Sequence, residues 1–127
     1  MRTLLVIGVL AAAVLVGASS ASAVASFVTP ARTVYCGLSE GEGPLRLICW
    51  RPYDGLTLDV GRFGRAQGRI YLPNRGFYQP VPGHVLRYGE TWRRPGYWRC
   101  ASRSTGLTCT NRAGHGWWLG RRRSRLF

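Results

Sequence analysis

Short apolar runs separated by turn residues recur along the chain beyond residue 32. The runs lie at 33–38, 45–50, 56–60, 69–72, 85–88, 97–102, 107–111 and 116–119. Gly, Pro and Asn stand between them and supply the backbone conformations that chain reversals need. No stretch repeats apolar residues at helical spacing. The pattern predicts an all-β domain, a small meander or barrel of short strands, with long loops between residues 61 and 83.

The N-terminal segment has a different character. Residues 4–16 are apolar, Arg2 is the one charged residue in 1–23, and the segment ends in Ala21-Ser22-Ala23, which fits a signal-peptidase site. We therefore predict a helical signal peptide over 1–23 and one exported β-rich domain over 24–127. An uncleaved membrane anchor is the alternative, because the first 31 residues hold no other charge and a spanning helix needs about 20 apolar residues. We therefore expect a secreted or extracytoplasmic, envelope-associated protein.

Four cysteines lie in the predicted exported domain: Cys36, Cys49, Cys100 and Cys109. In an oxidising compartment they are expected to form two disulfides, for which three connectivities exist. The spacing favours Cys36 with Cys49 and Cys100 with Cys109, since each pair flanks a turn and fits one hairpin. Neither pair has the C-x-x-C spacing of a zinc site. Both hairpins carry an aromatic residue near the first cysteine, a similarity that does not by itself define a repeat.

The charge balance is strongly basic. The 127 residues contain 18 basic residues, all arginine, against 5 acidic ones, which gives a formal charge of +13. The length excludes a large multidomain enzyme. A GC-rich genome explains arginine in place of lysine, but it does not explain the shortage of acids. A surface of this charge attracts phosphate, carboxylate and sulfate polymers.

The densest group of candidate binding residues lies near the C-terminus. In a strand Trp117 and Trp118 face opposite sides, so one of the two rings is expected to be exposed. Next to it, arginines would hold an anion by charge and stacking. The apolar pair Leu126 and Phe127 is expected to pin the end of the chain. The candidate ligand-binding residues are Trp117, Trp118, His115, Arg121, Arg122, Arg123 and Arg125.

A catalytic role has weaker support in the sequence. His115 stands between two glycines, and a tight turn in which it bonds to the backbone accounts for it without chemistry. The enzymatic alternative is a small secreted ribonuclease with Glu90 as base, His115 as acid and an arginine at the phosphorane. Known hydrolase, zinc, phosphate-loop and calcium-loop motifs do not occur. We therefore expect a protein that is not an enzyme and has no metal or cofactor.

The C-terminal third carries a recognisable string of motifs. Residues 86–89 read Leu-Arg-Tyr-Gly, residues 106–111 read Gly-Leu-Thr-Cys-Thr-Asn, and residues 114–116 read Gly-His-Gly. Together with Phe27, Pro30 and Cys36 near the start, they resemble a family of small exported actinobacterial proteins classed as a domain of unknown function. The resemblance implies export, a disulfide-bonded β-rich domain and no assigned activity.

These observations lead to one expected function. We expect a monomeric, exported, non-catalytic binding module of the cell envelope with a basic surface. Its expected partner is an anionic envelope polymer or an anionic lipid surface, with nucleic acid bound only non-specifically. A cationic membrane-active protein is the first alternative and the ribonuclease the second. The sequence does not identify the ligand.

Overall fold

The computed structural model of the protein describes residues 25–39, 41–70 and 84–127. Ten strands occur in these ranges: β1 Ser26–Val28, β2 Tyr35–Leu38, β3 Leu47–Arg51, β4 Leu56–Val60, β5 Gln67–Ile70, β6 Thr91–Arg94, β7 Trp98–Arg103, β8 Gly106–Asn111, β9 Gly116–Leu119 and β10 Ser124–Leu126. The one helical element there is a 3-10 turn at Pro30–Arg32. The all-β prediction is confirmed, while the predicted signal helix over 1–23 lies outside the described residues.

The strands form two antiparallel sheets in which chain neighbours are also neighbours in space. The first sheet has the order β1-β2-β3-β4-β5, and the second has the order β10-β9-β8-β7-β6. Within each sheet, every connection therefore joins adjacent antiparallel strands, the arrangement that short polar turns permit. Of the two architectures expected from the sequence, the sheets show the meander.

The inward side chains of both sheets form one hydrophobic cluster. Phe27 of the first sheet contacts Trp92 of the second, with ring centroids 5.4 Å apart. The cluster also encloses both disulfides, Cys36–Cys49 and Cys100–Cys109, whose cysteines are fully buried. The predicted pairing is confirmed. Such bonds are typical of an oxidising, extracytoplasmic compartment.

Several strand predictions need correction. The sequence missed β1, β6 and β10, which hold only three or four residues each, and it placed β5 two residues too late. The predicted strand at 85–88 is wrong: Val85 makes a single parallel bridge to Val28, and the chain then turns at Gly89, where φ is +90°. Leu86 of this run is buried in the core, but residues 85–88 do not pair in a strand ladder.

The two sheets repeat one arrangement. Each is a five-stranded meander whose second and third strands are joined by the disulfide. In each, a ring on the first strand stands opposite the first cysteine: Phe27 opposite Cys36, and Trp92 opposite Cys100. These are the two rings that touch between the sheets. The halves of the chain thus share topology and register.

A reciprocal set of hydrogen bonds ties the sheets together. Arg51, two residues after Cys49, donates from Nη1 to two carbonyl oxygens of the β9–β10 turn, each 2.9 Å away. Asn111, two residues after Cys109, donates from Nδ2 to two carbonyl oxygens of the β4–β5 connection, 3.2 and 2.7 Å away. Arg51 and Asn111 occupy equivalent positions, so each sheet holds the corresponding turn of the other.

Among the described residues no helix has the length and apolar character needed to cross a bilayer.

Candidate anion-binding cleft

A cleft of about 390 Å³ opens where β6 turns into β7. The turn is built from Pro95, Gly96 and Tyr97, and Gly96 supplies the positive φ of +78°. The amide of Tyr97 closes the turn by donating to the carbonyl of Arg94 at 2.9 Å. Four arginines line this cleft, which we call the first cleft: Arg93, Arg94, Arg99 and Arg112.

Strand alternation places two of these arginines side by side. Arg93 stands opposite Arg99 in the β6–β7 ladder, and Arg99 stands opposite Thr110 in the β7–β8 ladder. The next pair along, Trp92 with Cys100, is buried in the core. The arginine pair must therefore face outward, because successive side chains of a strand point to opposite faces. Like charges directly opposite each other destabilise a sheet, so a bound anion would reduce the repulsion between Arg93 and Arg99.

A further arginine reaches the same turn from the first sheet. Arg62, in the β4–β5 connection, donates from Nε to the carbonyl of Gly96 at 3.0 Å. Its guanidinium lies 4.6 Å from the ring centroid of Tyr97, and that of Arg94 lies 5.1 Å from the same ring. A Cβ on Gly96 would lie 3.7 Å from Arg62 Nη2 and 3.6 Å from Arg112 Nη1. The turn thus gathers three guanidinium groups, two of which lie against the Tyr97 ring.

The described carboxylates do not neutralise the first cleft. Asp59 pairs with Arg46 at 2.6 Å and Asp54 pairs with Arg51 at 2.6 Å. The remaining ion pair of the described residues joins Glu90 and a histidine. Within the ranges that the structure covers, no arginine of the first cleft contacts a carboxylate. The electrostatic potential there is consequently positive, and the binding chemistry on offer is that of an anion site.

The two adjacent tryptophans lie in different environments. Trp117 stands opposite Cys109 and is fully buried, so its assignment as a ligand contact is wrong: its ring belongs to the core. Trp118 is partly exposed on the outer face of the second sheet, opposite Arg125. Trp118 and Arg125 therefore share a face with the Arg93–Arg99 pair.

The arginine run near the C-terminus lies in the β9–β10 turn. Since the turns of a meander alternate between its two ends, this turn is at the end of the second sheet opposite the first cleft. The guanidinium of Arg122 lies 5.4 Å from the ring centroid of Tyr53. The carbonyl of Arg123 accepts the hydrogen bond from Arg51. Beyond the turn, β10 pairs with β9 and Phe127 exchanges two backbone hydrogen bonds with Gly116. The chain end is therefore held by its backbone, while the side chains of Leu126 and Phe127, expected to pin it, are exposed.

The turn expected around His115 is present, and the described hydrogen bonds of His115 are made by its main chain. His115 lies in the β8–β9 turn, its amide donates to Asn111 Oδ1 at 3.0 Å, and its carbonyl accepts from the amide of Asn111 at 2.7 Å. Glu90 is at the other end of the second sheet and pairs with His84, whose Nε2 is 3.3 Å from Glu90 Oε2. The structure therefore does not bring together the acid and base of the ribonuclease hypothesis. Sequence reasoning missed the pair with His84, which no spacing pattern marks.

Metal ligands do not cluster in the described part of the chain, where no group of three or more His, Cys, Asp or Glu residues could hold an ion.

One family model matches the chain, over residues 75–127, and its description is "Family of unknown function (DUF6636)". The second sheet thus carries a domain of unknown function. This confirms the coarse form of the resemblance expected from the motifs. No curated protein and no solved structure matches the chain. The DUF6636 match includes the arginines that β6 and β7 contribute to the first cleft, whereas Arg62 lies outside it.

The motif residues in the matched part hold the backbone together. Gly106 has φ of +152°, and a Cβ there would lie 2.7 Å from Trp118 Nε1. Cys109 forms the disulfide, and Asn111 shapes the β8–β9 turn while bonding to the first sheet. Gly116 has no room for a side chain. These residues account for the motifs through folding and packing.

Proposed function

We propose that the protein is an extracytoplasmic, non-catalytic module that binds an anionic polymer of the cell envelope in the first cleft. The observation that carries the proposal is the convergence of five arginines without a described carboxylate partner: Arg62, Arg93, Arg94, Arg99 and Arg112. The two disulfides support an oxidising location, where envelope polymers are the nearest polyanions.

The lining of the first cleft suits binding better than catalysis. Its described residues offer guanidinium forks, the hydroxyl of Thr110 and the rings of Tyr97 and Trp98, but no carboxylate or imidazole that would serve as a base near neutral pH. Guanidinium groups bind phosphate and carboxylate oxygens through two parallel hydrogen bonds. Arg62 and Arg94 already lie against the Tyr97 ring, and this lowers the conformational entropy that binding would cost.

A salt series with charge-neutral variants tests this proposal. We expect the oxidised domain to bind isolated anionic wall polymer at about 0.15 M salt, where exposed charges are screened beyond about 8 Å. Arg99→Gln and Arg112→Gln should each weaken binding and flatten the plot of log affinity against log salt by about one unit. Arg69→Gln is the matched control, because it removes the same charge from the exposed strand β5. Equal losses in all three variants would mean that only net charge matters.

One observation favours a membrane surface as the second candidate. Phe63 is 56% exposed in the β4–β5 connection, next to Arg62 and close to Arg65. An exposed ring flanked by cations suits the boundary between lipid headgroups and acyl chains.

The Phe63→Ser variant separates the two candidates. If lipid is the partner, this substitution should lower binding to vesicles of anionic phospholipid by about tenfold, since it removes roughly 1.5–3 kcal/mol of apolar burial. Binding to wall polymer should stay unchanged. Co-sedimentation of wild type and variant with vesicles and with wall polymer measures both quantities, and equal vesicle binding by both proteins would exclude insertion of the ring.

A further inference from the structure

A second cleft, of about 280 Å³, lies at the β9–β10 end of the second sheet. Its lining includes Arg32, Arg121, Arg122 and Tyr53. Arg122 stands over the Tyr53 ring as Arg62 and Arg94 stand over Tyr97 in the first cleft. Among the described residues none of these arginines pairs with a carboxylate. The two ends of the molecule therefore offer the same chemistry to a ligand.

A strained loop carries one arginine of the second cleft. Ala31 and Arg32 have φ of 62° and 56°, a conformation that costs a residue with a side chain roughly 1–2 kcal/mol. Thr29 maintains the loop: its carbonyl accepts from the amide of Arg32 at 3.0 Å, and its hydroxyl accepts from the amide of Val34 at 3.0 Å. Strain that the surroundings enforce is concentrated at functional sites. This loop places Arg32 in the lining of the same cleft as Tyr53 and Arg122.

A line of cations joins the two clefts along the outer face of β7. Arg99 lines the first cleft, and Arg103 points to the same side because it is four residues further along the strand, about 13 Å away. Arg103 and Arg121 both line a groove of about 180 Å³ that adjoins the second cleft. Ala101 is the outward residue between the two β7 arginines, so no bulky side chain from β7 interrupts the line.

We propose that a single linear polyanion lies along the outer face of β7 and occupies both clefts at once. This inference rests on the proposed function and narrows its ligand to an extended polymer. The six residues of β7 span about 20 Å, so the bound segment must be longer than that. Once one cleft is filled, occupation of the other is an intramolecular step with a high effective concentration. Affinity should therefore depend on chain length with a threshold.

Inorganic polyphosphate of defined length is the probe, because it carries charge without sugars or bases. With the full oxidised chain, we expect affinity to rise in proportion to length for short polymers and then more than tenfold at the length that spans both clefts. The double variant Arg121→Gln/Arg122→Gln should remove this step, while short polyphosphate should still bind in the first cleft. The control Arg65→Gln/Arg69→Gln removes the same charge from residues that line neither cleft and should keep the step.

Failure of this inference is distinguishable from failure of the proposed function. If affinity rose smoothly with polymer length and Arg121→Gln/Arg122→Gln did not change that rise, the proposal that one polymer occupies both clefts would be overturned. If Arg99→Gln still weakened the binding of long polyphosphate, the first cleft would remain the binding site. If the affinity step survived in every variant, the length dependence would arise from general charge density. That result would also overturn the proposal that one polymer occupies both clefts.

Discussion

The Gly116→Ala substitution is expected to prevent the second sheet from forming. A Cβ at Gly116 would overlap the carbonyl oxygen of Cys109, which is backbone and cannot move aside as a flexible side chain can. Gly116 also exchanges two backbone hydrogen bonds with Phe127, at 3.0 and 3.1 Å, so displacing it would detach the end of the chain. We expect a loss of about 4 kcal/mol or more, which few single substitutions reach.

Gly114→Ala is the control for this prediction. Gly114 has φ of +84°, but a Cβ there would meet nothing within 4 Å. It should therefore cost only the conformational penalty of about 1–2 kcal/mol. Thermal unfolding of the oxidised proteins, followed by near-ultraviolet circular dichroism, measures both variants. Equal melting temperatures for the two alanine variants would contradict this prediction. The close approach of backbone to Gly116 would then not be the reason why the second glycine of the Gly-His-Gly motif is needed.

The sequence predicted the strands whose residues also carry the core. In β3, β7, β8 and β9 most of the inward residues are apolar, so their alternation was visible without the structure. By contrast, β6 has one inward core residue, Trp92, between a threonine and two arginines. Its pairing is set by the neighbouring strand β7 and not by its own hydrophobic pattern. Short edge strands of this kind follow from tertiary contacts, which local patterns do not contain.

The first cleft was only partly predictable for a similar reason. Arg93 and Arg94 form an evident cluster in the sequence, and alternation along β6 sends the first of them outward. Arg62 comes from a stretch rich in Gly and Arg in which nothing indicates a partner 34 residues away at Gly96. Likewise, alternation required one of the adjacent tryptophans to be buried, but only the register that places Trp117 opposite Cys109 decides which one.

The Arg51→Met substitution is expected to have the second large effect, because it separates the two sheets at one of their reciprocal contacts. The Arg51 side chain is 3% exposed and makes two hydrogen bonds to Asp54 and two to carbonyl oxygens of the β9–β10 turn. Methionine keeps most of the volume but leaves these acceptors without their donor. Removing one partner of a buried pair costs about 3–5 kcal/mol, and we expect the lower end because Asp54 is 33% exposed.

Acid unfolding separates the ionic part of this contact from the bonds between the sheets. Hydrogen bonds from Arg51 hold the pKa of Asp54 below its ordinary value of 3.8. A carboxyl whose pKa is lowered by folding stabilises the native state above that ordinary value, and the contribution disappears as pH falls through the folded pKa. Wild-type stability should therefore decline further below about pH 4 than that of Arg51→Met, in which Asp54 has lost its partner. Urea unfolding between pH 7 and pH 2 measures the difference.

The Asp54→Asn variant shows which half of the contact dominates. It removes the ion pair but leaves Arg51 able to donate to both carbonyl oxygens of the β9–β10 turn. Since a partly exposed ion pair contributes about 1 kcal/mol or less, Asp54→Asn should cost much less than Arg51→Met at pH 7. Equal costs would assign the stabilisation to the ion pair within the first sheet. In that case the equivalent positions of Arg51 and Asn111 would reflect the repeated topology without holding the sheets together.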